Sequence, residues 1–207
     1  MAAFIDDLAL EYFLVTMVSV LTLYTIAAVY LEYRKNGTKN LRIAMAPAGF
    51  PLLVLGTVIL LIGLFQEFVW PLPASYNIYF GDPFLMLGMV TLVYAIAVLK
   101  DYQLQYPGIF ALFIGLMAIT YGYFGYINNL PSASKAFQAL ILYLGYGAFG
   151  ILVYPVSLIY DLLPSRTKSP FIANLILVIF FFLVLLAMVA SAYGGLTAVG
   201  SHIHFAP

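Results

Sequence analysis

Residues 170–198 read PFIANLILVIFFFLVLLAMVASAYGGLTA, without one charged side chain. A helix rises 1.5 Å per residue, so roughly 20 residues of this kind cross the hydrocarbon layer of a bilayer. Five further stretches have the same character: Leu8–Leu31, Met45–Trp70, Pro83–Leu99, Pro107–Ile127 and Ala136–Tyr160. Their apolar residues run continuously instead of alternating. Lipid offers no partner to backbone amides, and continuous runs point to helices, not to the strands of a barrel. The expected fold is therefore all-α, a single transmembrane helical bundle over residues 1–207 with about six spans.

Composition agrees. Of the 207 residues, 65% are apolar and only 8% charged, where a soluble domain carries about a quarter. The sequence cannot cover a water-facing surface, so its first partner is the lipid bilayer. Asp6 and Asp7, with no Lys or Arg among the first ten residues, do not make the basic start of a cleavable signal, so the first span is expected to persist. The absence of cysteine excludes disulfides, thiolate metal ligands and iron–sulfur clusters. The formal net charge of zero gives no reason to propose nucleic acid as a partner.

Loop charges orient the chain. Arg34, Lys35, Lys39 and Arg42 lie between the first two spans, Lys100 follows the third, and Arg166 and Lys168 precede the sixth; only Lys135 falls on the other side. By the positive-inside rule this asymmetry places both termini outside the cytoplasm in a multi-pass cell-membrane protein. Five acids (Asp6, Asp7, Glu11, Glu67 and Asp82) belong to that outer side. Asp82 precedes Pro83 and reads as a helix N-cap followed by a first-turn proline. Glu11 and Glu67 instead lie about one turn inside their spans, where a carboxylate is a functional candidate. Beside Trp70, Glu67 could equally reach the interface.

Small residues recur at helical spacing. Gly108, Ala111, Gly115, Ala118, Gly122 and Gly125 form one stripe on the fourth span, leaving Ile119 expected on the outward side. Gly49, Gly56 and Gly63 repeat at sevens on the second span, as do Gly81, Gly88 and Ala95 on the third; Ala187, Ser191, Gly194 and Ala198 mark the sixth. Such stripes let helix backbones approach in lipid. The same smoothness would suit other membrane subunits or a second copy of the chain. Pro155 is expected to bend the fifth span by freeing the carbonyl of Ile151.

Reactive groups are scarce within the spans. No Walker-type loop, G-x-S-x-G or H-E-x-x-H occurs. The two histidines, His202 and His204, lie beyond the sixth apolar stretch, which excludes a haem ligated by histidines within the bilayer. On an extended segment His202 and His204 would present two imidazoles to one side. With Glu11, Glu67 and Asp82 on the same leaflet, these five residues are the candidate ligands for a divalent metal such as zinc or copper. Two surface histidines on a polar tail are the simpler reading of the same residues. Of the tyrosines, Tyr121, Tyr123, Tyr126 and Tyr143 read as an interfacial belt, whereas Tyr146 and Tyr154 lie deeper and require internal hydrogen-bond partners.

Gly81-Asp82-Pro83-Phe84, Tyr154-Pro155 and Tyr160-Asp161 resemble motifs of a family of small archaeal membrane proteins without an assigned function. The resemblance spans the second to fifth helices and implies a polytopic fold, with no catalytic residue to carry over. Three functional classes follow from the residues. An accessory or scaffold subunit of a larger membrane assembly comes first, on the chemistry-poor interior. A small transporter or channel for an ion or small solute stands close behind, and a metal-dependent membrane enzyme third.

Overall fold

The computed structural model describes residues 7–165 and 169–205. Helix α1 covers Asp7–Asn36, a short α2 covers Leu41–Met45, and a 3-10 turn over Ala46–Ala48 leads into α3, Gly49–Val69. Then come α4 (Ser75–Leu99), α5 (Gln105–Ile127), α6 (Ala136–Leu162) and α7 (Phe171–Phe205). Six helical segments are long and apolar enough to cross a membrane, α2 and α3 counting as one. The protein has the fold of a multi-pass membrane protein. Arg166 and Lys168 lie outside the described residues.

The outward faces of these helices are apolar: Phe50, Val54, Leu61, Phe113, Phe182 and Leu186 are all exposed. The inside is also largely apolar, with a few buried polar side chains such as Gln66, Asn77 and Ser191 among Leu, Ile, Val and Phe. It is the outer surface that departs from the soluble pattern, because lipid, not water, is the solvent outside.

The third span departs from its expected boundary. It begins at Ser75, not at Pro83, so Asp82 does not cap it and Pro83 sits within it. The segment SYNIYFGD (75–82) is too polar to read as a span, yet it is helical and packed. Proline has no N–H, which leaves the carbonyl four residues earlier without its helical partner. That carbonyl belongs to Tyr79, and the buried Tyr143 hydroxyl donates to it from α6. The break in α4 is thus repaired from across the bundle. Asp82, released from capping, accepts a hydrogen bond from Tyr121 of α5 through Oδ2. Tyr121 and Tyr143 are therefore interior partners and not belt residues, whereas Tyr123 and Tyr126 are exposed as a belt requires.

The glycine repeats of α3 and α4 face each other. A Cβ added at Gly56 would stand 2.6 Å from the Leu92 backbone nitrogen, one at Gly63 2.6 Å from Leu85 Cα, and one at Gly88 2.5 Å from the Leu60 nitrogen. Each step of seven along α3 is matched by a step of seven back along α4, the signature of an antiparallel seam. The stripe on α5 meets α6 in the same way. A Cβ on Gly115 would lie 2.6 Å from both the Gly147 carbonyl oxygen and the Ile151 nitrogen. Ile119 is not outward, because it packs on Gly147. Gly194 and Gly195 of α7 receive the rings of Tyr12 and Phe13 from α1.

Three tight antiparallel pairs result: α3 with α4, α5 with α6, and α1 with α7. Looser contacts of α4 with α5, α6 with α7 and α1 with α3 close them into a ring. Among the described residues a cavity, not a helix, lies within the ring, and α5 is one wall of it.

The basic end of the bundle is tied by one guanidinium. Arg42 contacts Asp101 at 2.7 Å and Asp161 at 2.6 Å, and donates to the carbonyls of Asp101 and Tyr102 at 3.0 Å. Asp161 also accepts from the backbone nitrogens of Leu104 at 3.0 Å and Gln105 at 2.9 Å. These are amides at the start of α5 with no partner inside that helix. One carboxylate at the end of α6 therefore caps α5 and anchors the connection from α1.

Candidate functional site

The antiparallel topology gathers the N-terminal halves of α1, α4 and α6 with the C-terminal halves of α3, α5 and α7. Polar side chains concentrate at this acidic end. Glu11 of α1, Gln66 of α3 and Asn77 of α4 are all buried, Gln66 and Asn77 with 0% exposure. Three uncharged or acidic groups this deep require partners, since an unmet buried polar group costs on the order of 1–3 kcal/mol.

Most are met. The Gln66 amide donates through Nε2 to Glu11 Oε1. Asn77 Nδ2 donates to the Gln66 carbonyl at 2.9 Å, and Asn77 Oδ1 accepts from the Leu72 nitrogen at 3.3 Å. Asn77 thereby ties the end of α3 to the start of α4. Tyr76 donates from its hydroxyl to the Pro131 carbonyl, and Tyr146 and Ser191 share a hydrogen bond between α6 and α7. The internal partner required for Tyr146 is thus Ser191.

Glu67 Oε1 lies beside Gly81, the residue before Asp82. Among the described residues, three buried side-chain atoms have no hydrogen-bond partner: Gln66 Oε1, Glu67 Oε1 and the Tyr79 hydroxyl. The first two face one point. A Cβ placed on Gly81 would stand 3.3 Å from each of them.

Of the five metal-ligand candidates, the structure brings Glu67 and Asp82 together and links Glu11 to their neighbour Gln66. The backbone at His202 and His204 belongs to helix α7, which runs through Phe205 in place of the expected extended tail; their side chains lie outside the described residues. Among the described residues no group of three or more His, Asp or Glu side chains converges for a metal ion. Gln66 was visible in sequence only as the neighbour of Glu67. Asn77 gave no signal, because a lone asparagine outside an apolar run reads as loop.

The central cavity extends from this cluster. It measures about 270 Å³, and its walls are overwhelmingly apolar. Glu11, Tyr143 and Tyr146 border it at the acidic end, while Tyr94, Ser157 and Tyr160 border it towards the basic end. Along α1 it is lined from Leu8 to Ile26, about 27 Å of helix. Tyr94 and Ser157 hydrogen-bond to each other across its inner part.

No curated protein and no solved structure matches the chain. A family profile does, over almost its whole length and not only the second to fifth helices: the chain belongs to the family described as "Protein of unknown function (DUF981)", matched over residues 1–204.

Proposed function

We propose that the protein is a small transporter of the cell membrane that takes a largely apolar solute into the cavity along its axis, with the acidic end outward. The observation that carries this reading is the cavity itself, about 270 Å³ and lined over most of the bundle's length. A site of that size with apolar walls and a few polar groups suits a small molecule. Glu11, Tyr143 and Tyr146 at one end offer hydrogen bonds to a polar head, and the apolar walls accept a chain or ring.

The accessory-subunit reading rests on the chemistry-poor interior and on the small-residue stripes. Those stripes are used inside the chain: α3 against α4, α5 against α6, α7 against α1. Their use within the chain removes them as evidence for an outside partner, which moves the transporter reading ahead.

The test is retention of a membrane-derived solute. Protein extracted in mild detergent is expected to carry an apolar molecule, seen by native mass spectrometry, that organic solvent removes. Ala118 is buried and borders the cavity, so Ala118→Phe should fill that space and abolish retention while the helical circular dichroism persists. Equal retention by the variant, or none by the wild type, would reject the cavity as a binding site.

Orientation has its own test. The chain has no cysteine, so single substitutions report cleanly. Asn36→Cys is expected to label only from the cytoplasmic face and Ile203→Cys only from outside, both positions being exposed. Labelling of both from one face would refute the assignment.

A further inference from the structure

We propose that Gln66, Glu67 and Asp82 form a binding site for a monovalent alkali cation at the acidic end of the bundle. The inference stands independently of the solute reading.

It starts from the chemistry of a buried amide. Gln66 is fully buried and sits between two carboxylates. On one side its Nε2 donates to Glu11; on the other its Oε1 has no partner and faces, with Glu67 Oε1, the Cα of Gly81. Both atoms are acceptors. Turning the amide over does not help, because an amide has only one NH2 end and Glu11 would then face the oxygen. Nor can the amide oxygen relieve itself by taking up a proton, as a carboxylate can. Either a proton on Glu67 Oε1, donated to Gln66 Oε1, or a cation between the two oxygens would meet both atoms, and the cation also balances the charge.

Among the described residues no Lys or Arg side chain supplies one. Among the described residues the salt bridges are those of Arg42, at the opposite end. Lys135, the one basic residue on this side, is exposed. A buried carboxylate left bare is far costlier than one neutralised by an ion.

Donor type and charge select the ion. The atoms that meet are oxygens, the ligands of hard cations and not of zinc or copper. Asp82 already accepts from Tyr121 through Oδ2, so the bare charge at the two free oxygens is that of Glu67 alone, which one monovalent ion balances. A calcium ion needs six to eight oxygens, and among the described residues no third acid joins the pair. The glycine at position 81 is part of the site, since any side chain there would press on both free oxygens. Tyr121, donating to Asp82 Oδ2, holds the second carboxyl in place from α5. Five residues on three helices thus converge on the proposed site.

The experiment uses the full chain in detergent micelles at constant ionic strength, with sodium or potassium chloride exchanged for choline chloride. One alkali ion is expected to raise the melting temperature saturably, by about 5 °C at high occupancy. For sodium, the 23Na resonance should broaden on adding protein. Glu67→Gln, which keeps shape and removes charge, is expected to weaken the effect at least tenfold. Asp82→Asn is the second variant should the first fail to fold, and Tyr121→Phe should weaken binding by less. Identical melting in choline and alkali salts would overturn the proposal, leaving water as the partner of these oxygens. So would an alkali response unchanged in both carboxylate variants, or stabilisation by calcium or magnesium alone.

Discussion

Gly115→Leu is expected to abolish the native bundle or leave it with a sharply lowered melting temperature. The position admits no side chain: a single Cβ would already be 2.6 Å from two backbone atoms of α6, the Gly147 oxygen and the Ile151 nitrogen. The flexible end of a neighbouring side chain can move aside, but backbone in the middle of a helix cannot. Forcing α5 and α6 apart also removes the contacts that Gly150 and Ala111 make on either side of Gly115. Overpacking an ordinary core costs about 1–3 kcal/mol. Here the whole pair must separate in a solvent that gives no hydrophobic reason to stay together, so the loss should exceed that range. The control is Phe113→Leu, on the exposed face of the same helix. Thermal unfolding in mild detergent decides the matter, and equal melting of the two variants would mean that α5 and α6 do not pack along this stripe.

The second large effect is expected at the basic end. Asp161→Ala removes the carboxylate that pairs with Arg42 and accepts from Leu104 and Gln105. Its side chain is only 7% exposed, so the interaction is shielded from the screening that weakens surface pairs. Losing this carboxylate leaves two helix-start amides unmet and takes from Arg42 its one shielded carboxylate partner, on the order of 3–5 kcal/mol. For a chain of this length that lowers the melting temperature by roughly 10 °C. Asp101 also pairs with Arg42, but its side chain is 77% exposed. Asp101→Asn is accordingly expected to cost less than about 1 kcal/mol. A larger effect at Asp101 than at Asp161 would reverse this account.

The apolar spans were legible because lipid demands length and hydrophobicity and little else. The pairings were legible in part, because Gly56, Gly63 and Gly88 announce close approach without naming the helix approached. What could not be read was the start of α4. Asp-Pro is a strong helix-start signal in isolation, and only the Tyr143 hydroxyl, 64 residues away from the Tyr79 carbonyl it repairs, makes a proline tolerable there. Ile119 went astray for a related reason: position relative to a glycine stripe says which side is smooth, not how far round the helix the neighbour reaches. At the candidate site Glu11 and Glu67 stood out by their odd depth, whereas Asp82 joined them only as an acid of the same leaflet, its position having a sufficient reading as a helix cap. Gln66, which joins them, carries no charge and drew attention only through its neighbour. The Arg42–Asp161 tie was hidden because loop charges in a membrane protein already have a sufficient explanation in orientation.

The closing of the ring by α1 against α7 has a consequence for how the protein is made. α3 with α4, and α5 with α6, are neighbours in the chain and can associate soon after each second helix enters the membrane. The tight partner of α1 is α7, which follows all the other described helices. Until α7 is made, α1 waits in the lipid with Gln66 of α3 as its early partner through Glu11, and with Tyr12 and Phe13 lacking the glycines of α7 that receive them. Its retention during that interval depends on its own hydrophobicity and on the four basic residues that follow within Arg34–Arg42. Those residues thus act first as an anchor for a nascent helix, before Arg42 takes up its place between Asp101 and Asp161.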